Sequence, residues 1–272
     1  MHPTKQFHNV SPTDNLNFAC HRGFGNLVAS GKNKEHLISS APFYLTNTDY
    51  TSVNEAVIRA HLAIANPLYK ELETHGSVQC TIVVSGPDGY ISPDWYGLDD
   101  QVPTWNYITV QLKGTLKLLP REDLREVLTE LSTKFEEKLV GTKPSVWKLG
   151  KVKAANMNAM MKVIGPISFE VESVDGTWKL GQNKPQTARN SVGDSISLLN
   201  NHTVKTRQHL CLGIDLPVLA NLHSEEVNSD NVVEILLKGN SETKSIPGDV
   251  SHSKVVILLG VIIHMYMDKY MS

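Results

Sequence analysis

The chain has 272 residues, enough for one large domain or two small ones with a core that needs no disulfide staples. Hydrophobic residues make up 40% and charged residues 20%, an ordinary globular composition. The formal charge is −2, from 26 Lys and Arg against 28 Asp and Glu; this lacks the basic footprint of a nucleic-acid binder and argues against direct DNA binding.

In chain order, FGNLVAS (24–30) and HLISSAPFYL (36–45) are β-like and are separated by a polar GKNKE turn. AVIRAHLAI (56–64) is β-branched and alternating, which predicts a third strand. It runs into Asn66-Pro67, a cap residue followed by the residue that best suits the first helical position. NPLYKELETHG is therefore expected to be a short helix closed by Gly76. SVQCTIVV (77–84) is a fourth strand, and GPDG (86–89) has the chemistry of a turn.

Residues 90–107, YISPDWYGLDDQVPTWNY, are too aromatic for an idle loop and too interrupted for a regular element. Trp105 is expected to be largely buried there. NYITVQLKGTLKLL (106–119) follows as a long strand, bent at Gly114. Pro120 then opens a helix whose stripe of Leu124, Val127, Leu128, Leu131, Phe135 and Leu139 has helical spacing, with Gly141 as its stop. A Met-rich helix at about 154–164 is expected to end at Gly165-Pro166. ISFEVESV and TWKL flank Asp175-Gly176, a two-residue hairpin signal.

The first 190 residues thus predict six or seven strands and three helices, with strands mostly following one another. That order favours an α+β protein, mainly β with appended helices, built on an antiparallel sheet or barrel. Beyond about residue 195 the periodicity weakens. NLHSEEVNSDN and KGNSETKSIPGDVSHSK are expected to be loop or disorder. VVILLGVIIHMYM (255–267) is a 13-residue apolar run, shorter than the roughly 18 to 20 residues that span a bilayer, so a buried or interfacial segment is favoured over a marginal tail anchor. Membrane association is otherwise not expected. Three dispersed cysteines and an N-terminus without an apolar core predict a cytoplasmic protein without disulfides.

Hydrolase, metalloprotease, Walker A and Rossmann motifs are absent from the sequence. Three polar-aromatic clusters remain, each where a strand ends or turns. They contribute His61 and Asn66; Ser92, Trp95, Tyr96, Thr104, Trp105 and Asn106; and Lys179, Gln182 and Asn183. Aromatic walls with a few fixed donors suit a flat heteroaromatic ligand. The alternative is that they plug barrel corners and satisfy turns, and that His61 is only a half-buried strand histidine. Residue chemistry leaves both open.

HLAIANP, GPDGYISPDWY, VPTWNY and TWKLGQNK, with the N-terminal MHP and the FGNLVAS strand, resemble the PaiB-type FMN-binding family, often called FMN-binding negative transcriptional regulators. The resemblance covers roughly residues 1–195. It implies a split β-barrel of the pyridoxamine-phosphate oxidase type, with FMN as cofactor held at a homodimer interface. The cofactor-binding set implied is the eleven residues of the three clusters. Activity would be flavin-dependent oxidoreduction or small-molecule-responsive regulation; the alternatives are a regulator acting indirectly and a structural dimer without cofactor. No acid–base pair or nucleophile is evident, so any chemistry would belong to the flavin. The chain departs from the family at Ser39-Ser40-Ala41-Pro42, where relatives often carry Thr-His-Leu-Pro, at Ile64, where some carry a basic residue, and at Gly181. Arg59 and Lys179 are the cations that would compensate. Residues 196–272 form a divergent C-terminal extension.

Overall fold

The structure, a computed structural model, describes residues 2–32, 35–47, 49–138 and 147–206. Leu139, Gly141, the polar segments beyond residue 206 and the apolar run 255–267 lie outside the described residues.

Six antiparallel strands close into one barrel: β1 (Phe24–Ser30), β2 (His36–Leu45), β3 (Val57–Ala63), β4 (Ser77–Ile91), β5 (Thr104–Leu118) and β6 (Ile164–Lys179), in the ring order β1-β2-β3-β6-β5-β4. Each strand alternates between the interior and the outside, as a period of two requires. Leu27, Phe43, Ile58, Ile82, Leu112, Leu116 and Phe169 point inward and are buried. The interior is a packed core, so a ligand belongs on the barrel's outside or at its ends.

Among the described residues five α-helices are attached: α1 (Pro12–Arg22), α2 (Pro67–His75), α3 (Leu124–Glu137), α4 (Ala154–Lys162) and α5 (Gln186–Thr206). The expected α2 forms with its cap, since the Asn66 side chain accepts from Leu68 N at 2.9 Å. α3 lays Val127 and Leu131 against Tyr44 on the outer face of β2, and its Glu126 holds Arg59 of β3 at 3.0 Å.

The sequence did not reveal α1, although Ser11 caps it by accepting from Asp14 N and Pro12 opens it. Its omission explains two corrections. GPDG (86–89) is not a turn but part of β4, which carries an irregularity between Ser85 and Asp88. Asp175-Gly176 is not a hairpin but mid-strand in β6, paired with Gln111 and Val110 of β5. Both glycines are there because α1 lies on them. A Cβ at Gly86 would sit 2.7 Å from Phe18, and one at Gly176 only 1.9 Å from Asn15 Oδ1. Near those contacts Trp178 donates its indole N–H to Asn15 Oδ1 at 2.7 Å and meets Phe18 edge-on at 5.1 Å.

Two further boundaries shift. α4 ends at Lys162, and Gly165-Pro166 lie inside β6, where Gly165 lets the Tyr69 ring approach the backbone. α5 carries the chain past residue 195 without a break.

Candidate functional site

β4 and β5 pair Asp88 with Tyr107, Gly89 with Asn106, Tyr90 with Trp105 and Ile91 with Thr104. Alternation decides which of these face out. Asn106 and Ile108 are buried, so Trp105, one residue before Asn106, points to the other side of the strand, away from the core. Trp105 is 51% exposed, which corrects the expectation that it is largely buried. Directly opposite stands Tyr90, 43% exposed, and the two rings meet edge to face at 6.3 Å.

Lys179, the last residue of β6, pairs with Tyr107 on the same ribbon. Its ammonium donates to Thr104 Oγ1 and to the Trp105 carbonyl, the latter at 2.9 Å. Desolvation lowers its pKa from the ordinary lysine value. One end of the barrel therefore combines an aromatic pair, a hydroxyl and a tethered cation.

The connection between the strands is ordered by a short 3₁₀ turn, Pro93–Tyr96, entered through Ser92, whose carbonyl accepts from Trp95 N at 3.2 Å. Tyr96 is buried, and Trp95 packs beside it. Gln182 closes the turn after β6. Its Oε1 accepts from Leu180 N at 2.8 Å and its amide donates to the Trp178 carbonyl. Gly181 holds a left-handed φ of 79° in that turn, and Asn183 is exposed. Gln182 thus fills the structural role of a corner plug, while Lys179 and Thr104 face the outside.

His61 and Asn66 are elsewhere. His61 on β3 pairs with Pro166 near the start of β6, thirteen residues from Lys179 at its end; at about 3.3 Å per residue that is roughly 40 Å of strand. The Asn66 side-chain oxygen is occupied, accepting from Ser39 Oγ at 3.0 Å as well as from Leu68 N. His61 differs. Its Nδ1 is buried with no hydrogen-bond partner, and burial pushes its pKa down from 6.5 to about 4. The structure therefore brings together Ser92, Trp95, Tyr96, Thr104, Trp105, Asn106, Lys179, Gln182 and Asn183, and leaves His61 and Asn66 at the opposite end of the barrel.

The positions that depart from the resembled family have local partners. Ser39 serves Asn66 inside the barrel, Ser40 donates to Asn26 at 2.7 Å on the outside, and Ile64 packs against the core. Arg59 is engaged by Glu126. Burial raises the thiols of Cys20 and Cys80 to about 12, which keeps both protonated and removes them as nucleophiles. Tyr90 is the site residue missed by sequence reading, although an aromatic directly across a strand pair from Trp105 is what hairpin register would deliver.

A family model described as "Putative FMN-binding domain" matches residues 1–173. Among curated proteins, the chain is 27% identical over 210 residues to "Protease synthase and sporulation protein PAI 2" of Bacillus subtilis, covering 77% of this chain and 96% of that one. Among solved structures, it is similar to an FAD and heme binding protein from Mycobacterium smegmatis, with a TM-score of 0.42 and 11% identity over 62% of this chain and 72% of the other. A second is a protein of the pyridoxinephosphate oxidase family from Clostridium acetobutylicum, with a TM-score of 0.34 and 9% identity over 62% of this chain and 91% of the other. The family match and the closed antiparallel barrel agree with the split-barrel class that the motifs implied.

Proposed function

The chain belongs to the FMN-binding domain family, and on that premise we propose that it holds FMN on the outside of the barrel, where two copies of the chain meet. The observation that carries this reading is the exposed Tyr90–Trp105 pair beside Lys179 and Thr104. A flavin fits that donor set. Trp105 and Tyr90 offer faces to its ring system, and Lys179 is a cation for an anionic edge or phosphate. Bound FMN supplies hydride or electron transfer. The chain's own residues bind it, orient it and exclude water from one face.

One observation supports a second copy. The outer face of β1, β4 and β5 is uncovered among the described elements. α3 lies over β2 and β3 instead.

The test is to purify the protein and record visible absorbance before and after adding FMN, together with the sedimentation coefficient. A flavin spectrum or saturable binding by a dimer is expected. Absence of both sinks the reading. Trp105→Ala should weaken FMN binding about two- to tenfold, the worth of an aromatic contact, with the fold intact.

A further inference from the structure

The family match stops at residue 173, yet α5, well beyond it, packs on the loop between β4 and β5. Ala188, Val192 and Ile196 recur every four residues and so share one helix face. All three are buried in a cluster with Ile91 and Tyr96, and Trp95 packs against it. Lys184, just ahead of the helix, adds two ties. Its ammonium donates to Gln101 Oε1 and lies 5.2 Å from the centre of the Tyr96 ring. This cluster is separate from the barrel core, so the loop owes its position to the helix rather than to the strands.

We infer that α5 is a positioning element for the flavin site, in which Val192 and Ile196 hold the 92–103 loop through Tyr96 and so fix the wall beside Trp105 and Thr104. The inference rests on the FMN reading above. Burial carries it: Tyr96 and Ile91 lose their apolar cover when the helix face is trimmed, whereas the barrel core loses nothing. The helix thus couples the segment after β6 to the site.

The test uses the full chain with Val192→Ala and, as a control at an exposed position of the same helix, Leu198→Ala. Three quantities are measured: thermolysin cleavage within residues 97–103 without flavin, the FMN dissociation constant, and the urea midpoint of the barrel. Removing two buried methyl groups should open the loop about tenfold more often and raise both the cleavage rate and the FMN dissociation constant by that factor. The urea midpoint should hold, and Leu198→Ala, whose side chain is 63% exposed, should behave as wild type. Wild-type cleavage rates in Val192→Ala overturn the brace. Faster cleavage with unchanged FMN affinity overturns its link to the site. If the wild-type chain takes up no FMN, the flavin reading fails and the link fails with it, while the cleavage assay still decides whether α5 holds the loop.

Discussion

At the scale of residues, the four tryptophans do not carry equal weight. Trp178 is 1% exposed and spends its N–H on Asn15, whereas Trp105 is 51% exposed. Trp178→Ala should destabilise the fold by about 3–5 kcal/mol, as truncation of a buried Trp does. Trp178→Phe should still cost about 1–3 kcal/mol because Asn15 Oδ1 loses its donor. Trp105→Ala should fall well below both. Urea unfolding of the three variants checks the order, and a Trp105→Ala cost equal to that of Trp178→Ala would show that Trp105 belongs to the core. His61 makes a prediction about pH. Its folded pKa of about 4 lies below the ordinary 6.5, so the neutral ring is the one the fold accommodates. The fold is favoured fully above pH 6.5, and that stability is lost as pH falls from 6.5 towards 4, by about 1–3 kcal/mol at most. His61→Gln should flatten this part of the stability-against-pH curve. An unchanged slope would place the proton uptake on another group.

Among elements, α1 decides how much of the fold can be read in advance. The strands of β1 to β3, helix α2 with its Asn66 cap and the start of α3 follow from local pattern, because periodicity and capping are short-range signals. Gly86 and Gly176 do not. A glycine beside Asp or Pro marks a turn when seen locally, and the same glycine marks a close approach when a distant element presses on it. Asn15 is 161 positions from Gly176 in sequence, so no window around Asp175-Gly176 contains the cause. The exposure of Trp105 is likewise set by strand parity, which becomes known only once Asn106 and Ile108 are seen to face inward. Gly176→Ala tests the account of α1. The added methyl would meet Asn15 Oδ1 at 1.9 Å, and the substitution should destabilise by about 1–3 kcal/mol. In Asn15→Ala the same change should cost markedly less, because the obstructing oxygen is gone. A cost that is the same in both backgrounds would mean that α1 yields freely.

For the whole molecule, the question is what the barrel's bare side is for. α3 shelters Tyr44 on β2, and α5 shelters Tyr96 at the end of the ribbon. The outer face of β1, β4 and β5 has no such cover among the described elements. At its border Ile38 is 65% exposed, and it pairs with Val28 of β1, which in turn pairs with Thr81 of β4. Beside that row, the Ser40 hydroxyl donates to Asn26 at 2.7 Å. Such a face suits a flat, two-fold contact with a second copy, in which the same patch serves both partners and each change counts twice. Ile38→Asp therefore discriminates. The side chain is outside the core, so the monomer's stability should change by no more than about 0.5 kcal/mol. A charge duplicated across a two-fold axis should nevertheless shift sedimentation from dimer to monomer and carry FMN affinity down with it. If the wild type is a monomer at every concentration, the interface reading fails. If Ile38→Asp stays dimeric with normal FMN binding, the two copies meet through another surface.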